Sequence, residues 1–342
     1  VVRSTALLPA IHRTWPGAHV TWLTAPVAAP LLLHHPQVDR ILPLQPGIEA
    51  VLDALAFDAA LCPEKSLRAG ALVQRARAPI KRGFRVSSTG AIAPLTDAAV
   101  DGFELGLDDR RKFFGPDRSA QQMAAEALAL DWDDDAPRLH LVPGERRLSA
   151  RRLGWNVGSS DAFPYKRLHE DDLVDAVARA SERQPDWRMV LLGGPADAAR
   201  QARVARVLAE RGVDVESSST AGLAPDPSGC RPGIAAVASC GAVVSGDSLG
   251  LHLAIALGKP VVAWFGPTSH GEIDVRGRGV RVLADVPCRP CWQSRCDRPV
   301  KCFRQLPWAE FDDAVDSVCD AASAGVVGAM NRVVGPIPPP PD

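Results

Sequence analysis

Short apolar runs alternate with amphipathic segments of helical length along almost the whole chain. Residues 4–15 keep their apolar positions on one helical face, Pro16-Gly17 stops them, and residues 19–24 (HVTWLT) read as a strand. Residues 27–34 have helical spacing, 38–44 (VDRILPL) form a second strand, 58–62 a short buried one, and 66–77 a basic helix. Strands separated by helices predict a parallel sheet covered on both faces. The pattern loosens over residues 97–115, which read as a loop with one short helix, and tightens again in the Ala- and Leu-rich helix 120–130. Residues 131–144 are acidic, then broken by proline, and predict a linker between domains.

The second half of the chain repeats this rhythm. Residues 154–157 predict a strand ending in a Gly-Ser-Ser turn, 170–182 a helix, and 187–192 a strand ending in Gly193-Gly194-Pro195. Helix 196–211, strand 242–245, helix 248–257 and strand 261–265, closed by Gly266-Pro267, continue it, and a long helix is expected over 308–334. The final PIPPPPD cannot be helical and predicts an extended tail. The expected organisation is an α/β domain over residues 1–144, a second over 145–334 and a Pro-rich tail over 335–342.

Composition narrows the classes. With 46% hydrophobic and 23% charged residues the chain can build two ordinary cores, and its net charge of -1 gives no global attraction to nucleic acid. No apolar run approaches the roughly 18 residues of a membrane span. The opening VVRSTALLPA has neither the basic nor the long apolar region of a secretion signal, so a cytoplasmic protein with reduced thiols is expected. The chain opens without Met, and further residues are expected before Val1.

Five segments carry or imitate candidate chemistry. In VVSGDSLGLHLAIALGKPVVAWFGPT, residues 243–268, a buried strand delivers Gly246-Asp247-Ser248 to the start of a helix. Ser248 can cap that helix, whose first amides suit a diphosphate, and His252 lies one turn further on. The plainer reading is a capped core helix. Cys288, Cys291, Cys296 and Cys302 have the spacing C-x2-C-x4-C-x5-C, a pattern for structural zinc or an iron–sulfur cluster or simply a Cys-rich loop. Arg68, Arg75, Arg77, Lys81, Arg82 and Arg85 form a run without acidic residues, either a solvated face or a docking surface for an anionic lipid. Asp133-Asp134-Asp135 imitates a metal-binding DxD and reads as a solvated acidic loop, and Gly193-Gly194-Pro195 as a tight turn.

The segment GDSLGLHLAIALGKPVVAWFGPT resembles the donor-site signature of glycosyltransferase family 9, the ADP-heptose:lipopolysaccharide heptosyltransferases. LLPAIHRTWPGAHVTWLT, HHPQVDRILPL, LGWNVGSSDAFPYKRLHEDDL and MVLLGGPADAAR resemble other family segments in order, so the likeness covers most of the chain and is weakest over residues 80–115. It implies a GT-B architecture: two Rossmann-like domains with parallel sheets facing a central cleft. It implies an inverting, metal-independent transfer of heptose from ADP-heptose to the lipopolysaccharide inner core, with no required cofactor, at the cytoplasmic side of the inner membrane, where the protein is soluble or peripheral. By the same resemblance Ser159, Ser160, Lys166, Asp247, Ser248, Leu249 and His252 bind the donor: the amides of Ser248 and Leu249 meet the diphosphate, Asp247 the sugar hydroxyls, and Lys166 the leaving phosphates. The family usually has Gly where this chain has Leu249, and its Cys-rich loop falls where Cys288–Cys302 stand. VVRST resembles the residues just after the family's Gly-Asp, which puts the general base before Val1 and leaves Ser4 near the site. Open alternatives are a GT-B enzyme using another nucleotide sugar, an epimerase of similar fold, and a catalytically impaired nucleotide-sugar-binding homologue.

Overall fold

The computed structural model describes residues 1–114, 118–142, 145, 151–218, 230–325 and 330–337. The chain divides into two compact units, one holding Arg3–Pro137 and the other Arg138–Pro339.

In the first unit a 3-10 turn, Arg3–Ala6, leads into helix α1, Leu7–Thr14. Pro9 lacks the N–H that would bond the preceding turn, which is why the expected helix begins as a tighter one. Strand β1, Thr21–Thr24, pairs in parallel with β2, Arg40–Pro43. The helix expected over 27–34 is instead 3-10 over Pro26–Leu32, because Pro30 interrupts it. Helix α2, Ile48–Ala54, is an element the hydrophobic pattern does not announce. Strand β3, Ala59–Cys62, is followed by α3, Leu67–Arg75, whose N-cap Ser66 accepts a hydrogen bond from the Ala69 amide.

The basic run does not stay on one helix. It continues into strand β4, Ile80–Val86, parallel to β3 and antiparallel to β5, Ile92–Pro94. Gly83 has φ +100, and a Cβ there would lie 2.0 Å from the Cys62 carbonyl oxygen, so the close approach of the two strands requires glycine. Helices α4, Val100–Leu105, and α5, Asp109–Phe114, replace the single short helix expected, and α6, Ala120–Ala127, comes next with Ser119 as its cap. Asp135 of the acidic triplet accepts from Arg13, which also reaches the Asp131 carbonyl, so that triplet anchors the segment to α1.

Among the described residues the second unit holds one seven-stranded sheet, parallel throughout. Its elements are β6, Arg152–Asn156; α7, Glu170–Arg183; β7, Arg188–Leu192; α8, Ala198–Glu210; and β8, Val215–Ser217. They continue with α9, Cys230–Ala238; β9, Ala242–Gly246; α10, Leu249–Ala256; and β10, Val261–Phe265. Strand β11, Arg278–Leu283, helix α11, Trp308–Ala324, and β12, Met330–Val334, complete the unit. The order is β12-β11-β10-β9-β6-β7-β8. It reverses between β6 and β9, and in such sheets ligands bind beyond the carboxyl ends of the strands at that point. The helix expected over 308–334 stops at Ala324, where Gly325 turns left-handed (φ 64), and the chain re-enters the sheet as the edge strand β12.

The main core of this unit is built from one face of the sheet and the helices over it. Leu153, Trp155, Leu191, Val244, Val262 and Val282 pack with Val177 of α7 and with Phe311 and Val315 of α11. Arg179 binds Asp312 between the same two helices at 2.6 Å. Most of the Pro-rich tail lies outside the described residues. Among the described residues no helix is long and apolar enough to cross a membrane.

Candidate functional site

The site grows out of the ends of β6 and β9. Asn156, the last residue of β6, donates from Nδ2 to the Gly158 carbonyl at 2.9 Å, to Ser248 Oγ at 2.8 Å and to Ser245 Oγ at 3.1 Å. One amide therefore ties the two strand ends together. Ser248 occupies the N-cap position of α10, but its hydroxyl makes no cap bond. The expected capping role is corrected on this point: Asn156 holds the hydroxyl, and the first turn of the helix keeps its amides uncapped by Ser248. Leu249 is half-exposed, so its side chain points to solvent and leaves the backbone of the turn open. Gly250 comes next, and a Cβ there would meet Asn156 at 2.8 Å.

The loop after β6 brings a lysine back to this mouth. Ser159 Oγ donates to the Phe163 carbonyl at 3.0 Å, and exposed Ser160 accepts from the Phe163 amide at 3.0 Å. These bonds bend the loop into the short turn Pro164–Lys166. Lys166 Nζ then donates to Asp247 Oδ2 at 2.8 Å, with both side chains largely buried. His252 Nε2 stands 3.6 Å from the other carboxylate oxygen. Burial pushes the Asp247 carboxyl up, but the charge and hydrogen bond of Lys166, with His252 and Thr268, outweigh it and hold the group below its ordinary value. At neutral pH the mouth holds an anion and a cation side by side, next to the electropositive start of a helix.

Lys166, Asp247, Ser248, Leu249 and His252 thus lie together at the start of α10, with Ser159 and Ser160 bracing the loop. Ser4 lies in the other unit, in the 3-10 turn before α1. The basic residues also lie there, and five of them are engaged within that unit. Arg75 pairs with Asp53, Arg77 reaches the Asp53 carbonyl, and Lys81 the Gln74 carbonyl. Arg82 bonds the Ala129 carbonyl and covers Trp15, and Arg85 bonds the Pro94 carbonyl, while Arg68 is exposed. Gly193-Gly194 is a turn whose Gly194 amide is taken by Asp197 at 2.9 Å.

Cys288, Cys291, Cys296 and Cys302 lie in one loop, close enough for each of the other three thiols to raise Cys302. Among the described residues no group of three or more His, Cys, Asp or Glu is disposed to hold an ion. Burial first, then the three neighbouring thiols, push Cys302 up to about 12. Because the thiolate is the nucleophile, Cys302 is expected to alkylate slowest of the four near neutral pH. Time-resolved alkylation followed by peptide mass spectrometry checks this. Uniform protection of all four, released by a chelator, would instead reveal a metal.

Sequence reasoning missed Asn156, Phe163 and Trp292. The ring of Phe163 lies 5.1 Å and that of Trp292 5.7 Å from Lys166 Nζ. Asn156 is legible only as a polar residue ending an apolar strand, and Trp292 only as a large aromatic beside Cys291.

The family model described as "Glycosyltransferase family 9 (heptosyltransferase)" matches residues 49–301. No curated protein matches the chain at the level of sequence. Among solved structures, the glycosyl transferase family 9 protein from Veillonella parvula aligns with a TM-score of 0.71 at 16% identity, over 92% of each chain. E. coli ADP-heptose lps heptosyltransferase II aligns at 0.63 and 16% identity, over 94% of this chain and 95% of that one. E. coli heptosyltransferase WaaC with ADP aligns at 0.58 and 16% identity, with the same coverage. The likeness extends over nearly the whole chain, and the fold is GT-B. With more than half of its length matched by the family model, the chain belongs to glycosyltransferase family 9.

Proposed function

We propose that this glycosyltransferase moves a heptose from ADP-heptose to the inner core of lipopolysaccharide by a single inverting displacement without a catalytic metal. The observation that carries the reading is the Lys166–Asp247 pair, set against the start of α10 at the reversal of the sheet. A nucleotide diphosphate meets there what its charge needs: an ammonium and backbone amides at a helix N-terminus. Support for ADP as the nucleotide comes from the fold shared with a heptosyltransferase solved with ADP.

In this reading the donor diphosphate displaces Asp247 as the partner of Lys166, and Asp247 turns to the hydroxyls of the sugar. The acceptor hydroxyl attacks the anomeric carbon as the bond to the diphosphate breaks, so configuration inverts and ADP leaves. Lys166 and the amides of Ser248 and Leu249 meet charge that grows on the leaving oxygen, which is where electrostatic stabilisation lowers the barrier. The acceptor hydroxyl loses its proton as it bonds, a step assigned to the first unit. The phosphorylated core is also assigned to that unit, where Arg68, Arg75, Arg77, Lys81, Arg82 and Arg85 lie, and the protein would act in the cytoplasm at the inner membrane.

The test is donor titration by calorimetry with ADP-heptose, UDP-sugars and ADP. Asp247→Ala is expected to weaken ADP-heptose binding by about 1–3 kcal/mol, the range for losing a hydrogen bond to a charged or buried partner. ADP lacks the sugar and should lose less. Unchanged ADP-heptose affinity, or preference for a UDP-sugar, would sink the assignment.

A further inference from the structure

The cysteine-bearing loop does more than pack beside the site. From Cys288 to Arg304 it wraps the short turn that carries Lys166, touching it at two separated points. Tyr165, one residue before the lysine, stacks on Phe303 at 5.2 Å with the rings parallel within 1°. Phe163, on the other side of the turn, meets Trp292 edge-to-face, with centroids 6.4 Å apart and planes at 89°. Both rings of that second pair lie within cation–π range of the Lys166 ammonium. The ammonium therefore has a carboxylate on one side and two aromatic rings on others.

Trp292 is held in this position by its backbone. Its amide donates to the Pro267 carbonyl at 2.7 Å, and the Cys291 amide donates to the same oxygen at 3.1 Å. Pro267 belongs to the turn that closes β10, so the indole is fixed to the sheet that also carries Asp247. Trp292 takes φ 53, a left-handed conformation that bulky residues rarely adopt and that persists where the surroundings enforce it. Buried Arg289 adds a second anchor: its Nε donates to the Ala284 carbonyl just beyond β11. The loop is thus rooted at the ends of two strands and reaches over to the lysine turn, which itself stems from a third.

We infer that Trp292 is a positioning residue for donor binding: its ring holds the Lys166 ammonium at the mouth of α10, so that the cysteine-bearing loop sets how the lysine meets a diphosphate. The inference rests on the reading of the mouth as a nucleotide-diphosphate site. A flexible four-carbon stem loses rotamer freedom when its head binds phosphate. An ammonium already confined by two rings and a carboxylate has lost much of it beforehand, and that preorganisation appears as affinity. The rings attract the cation without offering a charge that competes with phosphate, so Lys166 can exchange Asp247 for the donor while staying in place.

The experiment uses the full chain with ADP as the probe and two substitutions at one position. Trp292→Leu keeps apolar bulk and removes the ring, and Trp292→Phe restores a ring. Trp292→Leu is expected to weaken ADP binding about tenfold, within the reach of a desolvated cation–π contact, and Trp292→Phe to recover most of it. In a Lys166→Ala background Trp292→Leu should add less than about a twofold change, since the residue acts through the lysine. Equal losses in the two backgrounds, or no recovery with Trp292→Phe, would overturn the proposal. A second readout does not depend on nucleotide. After reductive 13C-methylation the Lys166 methyl signal, identified by its loss in Lys166→Ala, should lie upfield from the ring currents and move downfield in Trp292→Leu. A signal at the position of a solvated lysine in the unsubstituted chain would overturn the clamp. If ADP fails to bind the unsubstituted chain, the nucleotide reading of the site falls, and the methyl signal still decides whether Trp292 holds Lys166.

Discussion

Lys166→Ala is expected to lower turnover with ADP-heptose and a lipopolysaccharide-core acceptor by about two to three orders of magnitude, the loss typical of removing one preorganised donor at a developing charge. Two consequences of the substitution act together. The leaving diphosphate loses the ammonium, and Asp247 loses the main partner that counters its burial. With only His252 and Thr268 left to counter desolvation, the carboxyl rises from its lowered value, and less of it is ionised as pH falls. The defect should therefore deepen toward acid pH. Steady-state kinetics of both proteins across the acid to neutral range tests this: the drop should lie mainly in kcat, because the charge on the leaving group grows in the transition state. A change confined to KM would reduce Lys166 to a ground-state binding residue.

Gly246→Ala should be nearly as damaging to the site by a different route. A Cβ on Gly246 would lie 1.9 Å from the Lys166 carbonyl oxygen and 3.0 Å from Trp264 Nε1. The first neighbour is backbone, which cannot swing aside as the end of a side chain can, so the whole lysine turn must move or β9 must bend. Overpacking of this kind costs about 1–3 kcal/mol and sometimes more. Urea unfolding of the full chain should show that loss, and ADP affinity should fall with it because Lys166 is carried off its position. Gly271→Ala is the matched control: its nearest neighbour is Ser269 Oγ at 3.7 Å, an ordinary contact, and neither stability nor binding should change. Equal behaviour of the two variants would show that the lysine turn is not packed against β9 as described.

How much of this is legible in the chain depends on how each signal is written there. The mouth of α10 is legible because strand, Gly-Asp-Ser and an apolar helix are contiguous, and contiguity is what a motif records. Lys166 stands out only through a resemblance, since a lone loop lysine has no period of its own. The strands β6, β7, β9 and β10 are buried on both faces and announce themselves as apolar runs. Strand β4 does not: Lys81, Arg82 and Arg85 sit in it with their stems along the sheet and their charges on distant carbonyls, so its composition imitates a basic surface. Strand β12 hides behind Gly325, because a helix and an edge strand share one apolar stretch of sequence. The roles of Asn156 and Trp292 depend on partners far along the chain, which no local pattern encodes.

The reversal of strand order between β6 and β9 has a bearing on how the protein reaches its native state. The bonds that make the mouth join residues distant in sequence: Asn156 and Ser248 are 92 apart, and Lys166 and Asp247 are 81 apart. Between them the chain must first lay down β7 and β8 with their helices on one side of β6. Closing so long a loop carries an entropic cost that is met before any contact across it rewards the chain, and parallel pairings of this kind form slowly. The mouth of α10 therefore comes into being among the last events of folding, after the two central strands have docked. A nucleotide has nothing to grip until then. It would leave the folding rate unchanged and act on the other limb, slowing the escape from the native state by holding shut the one seam where the two halves of the sheet meet.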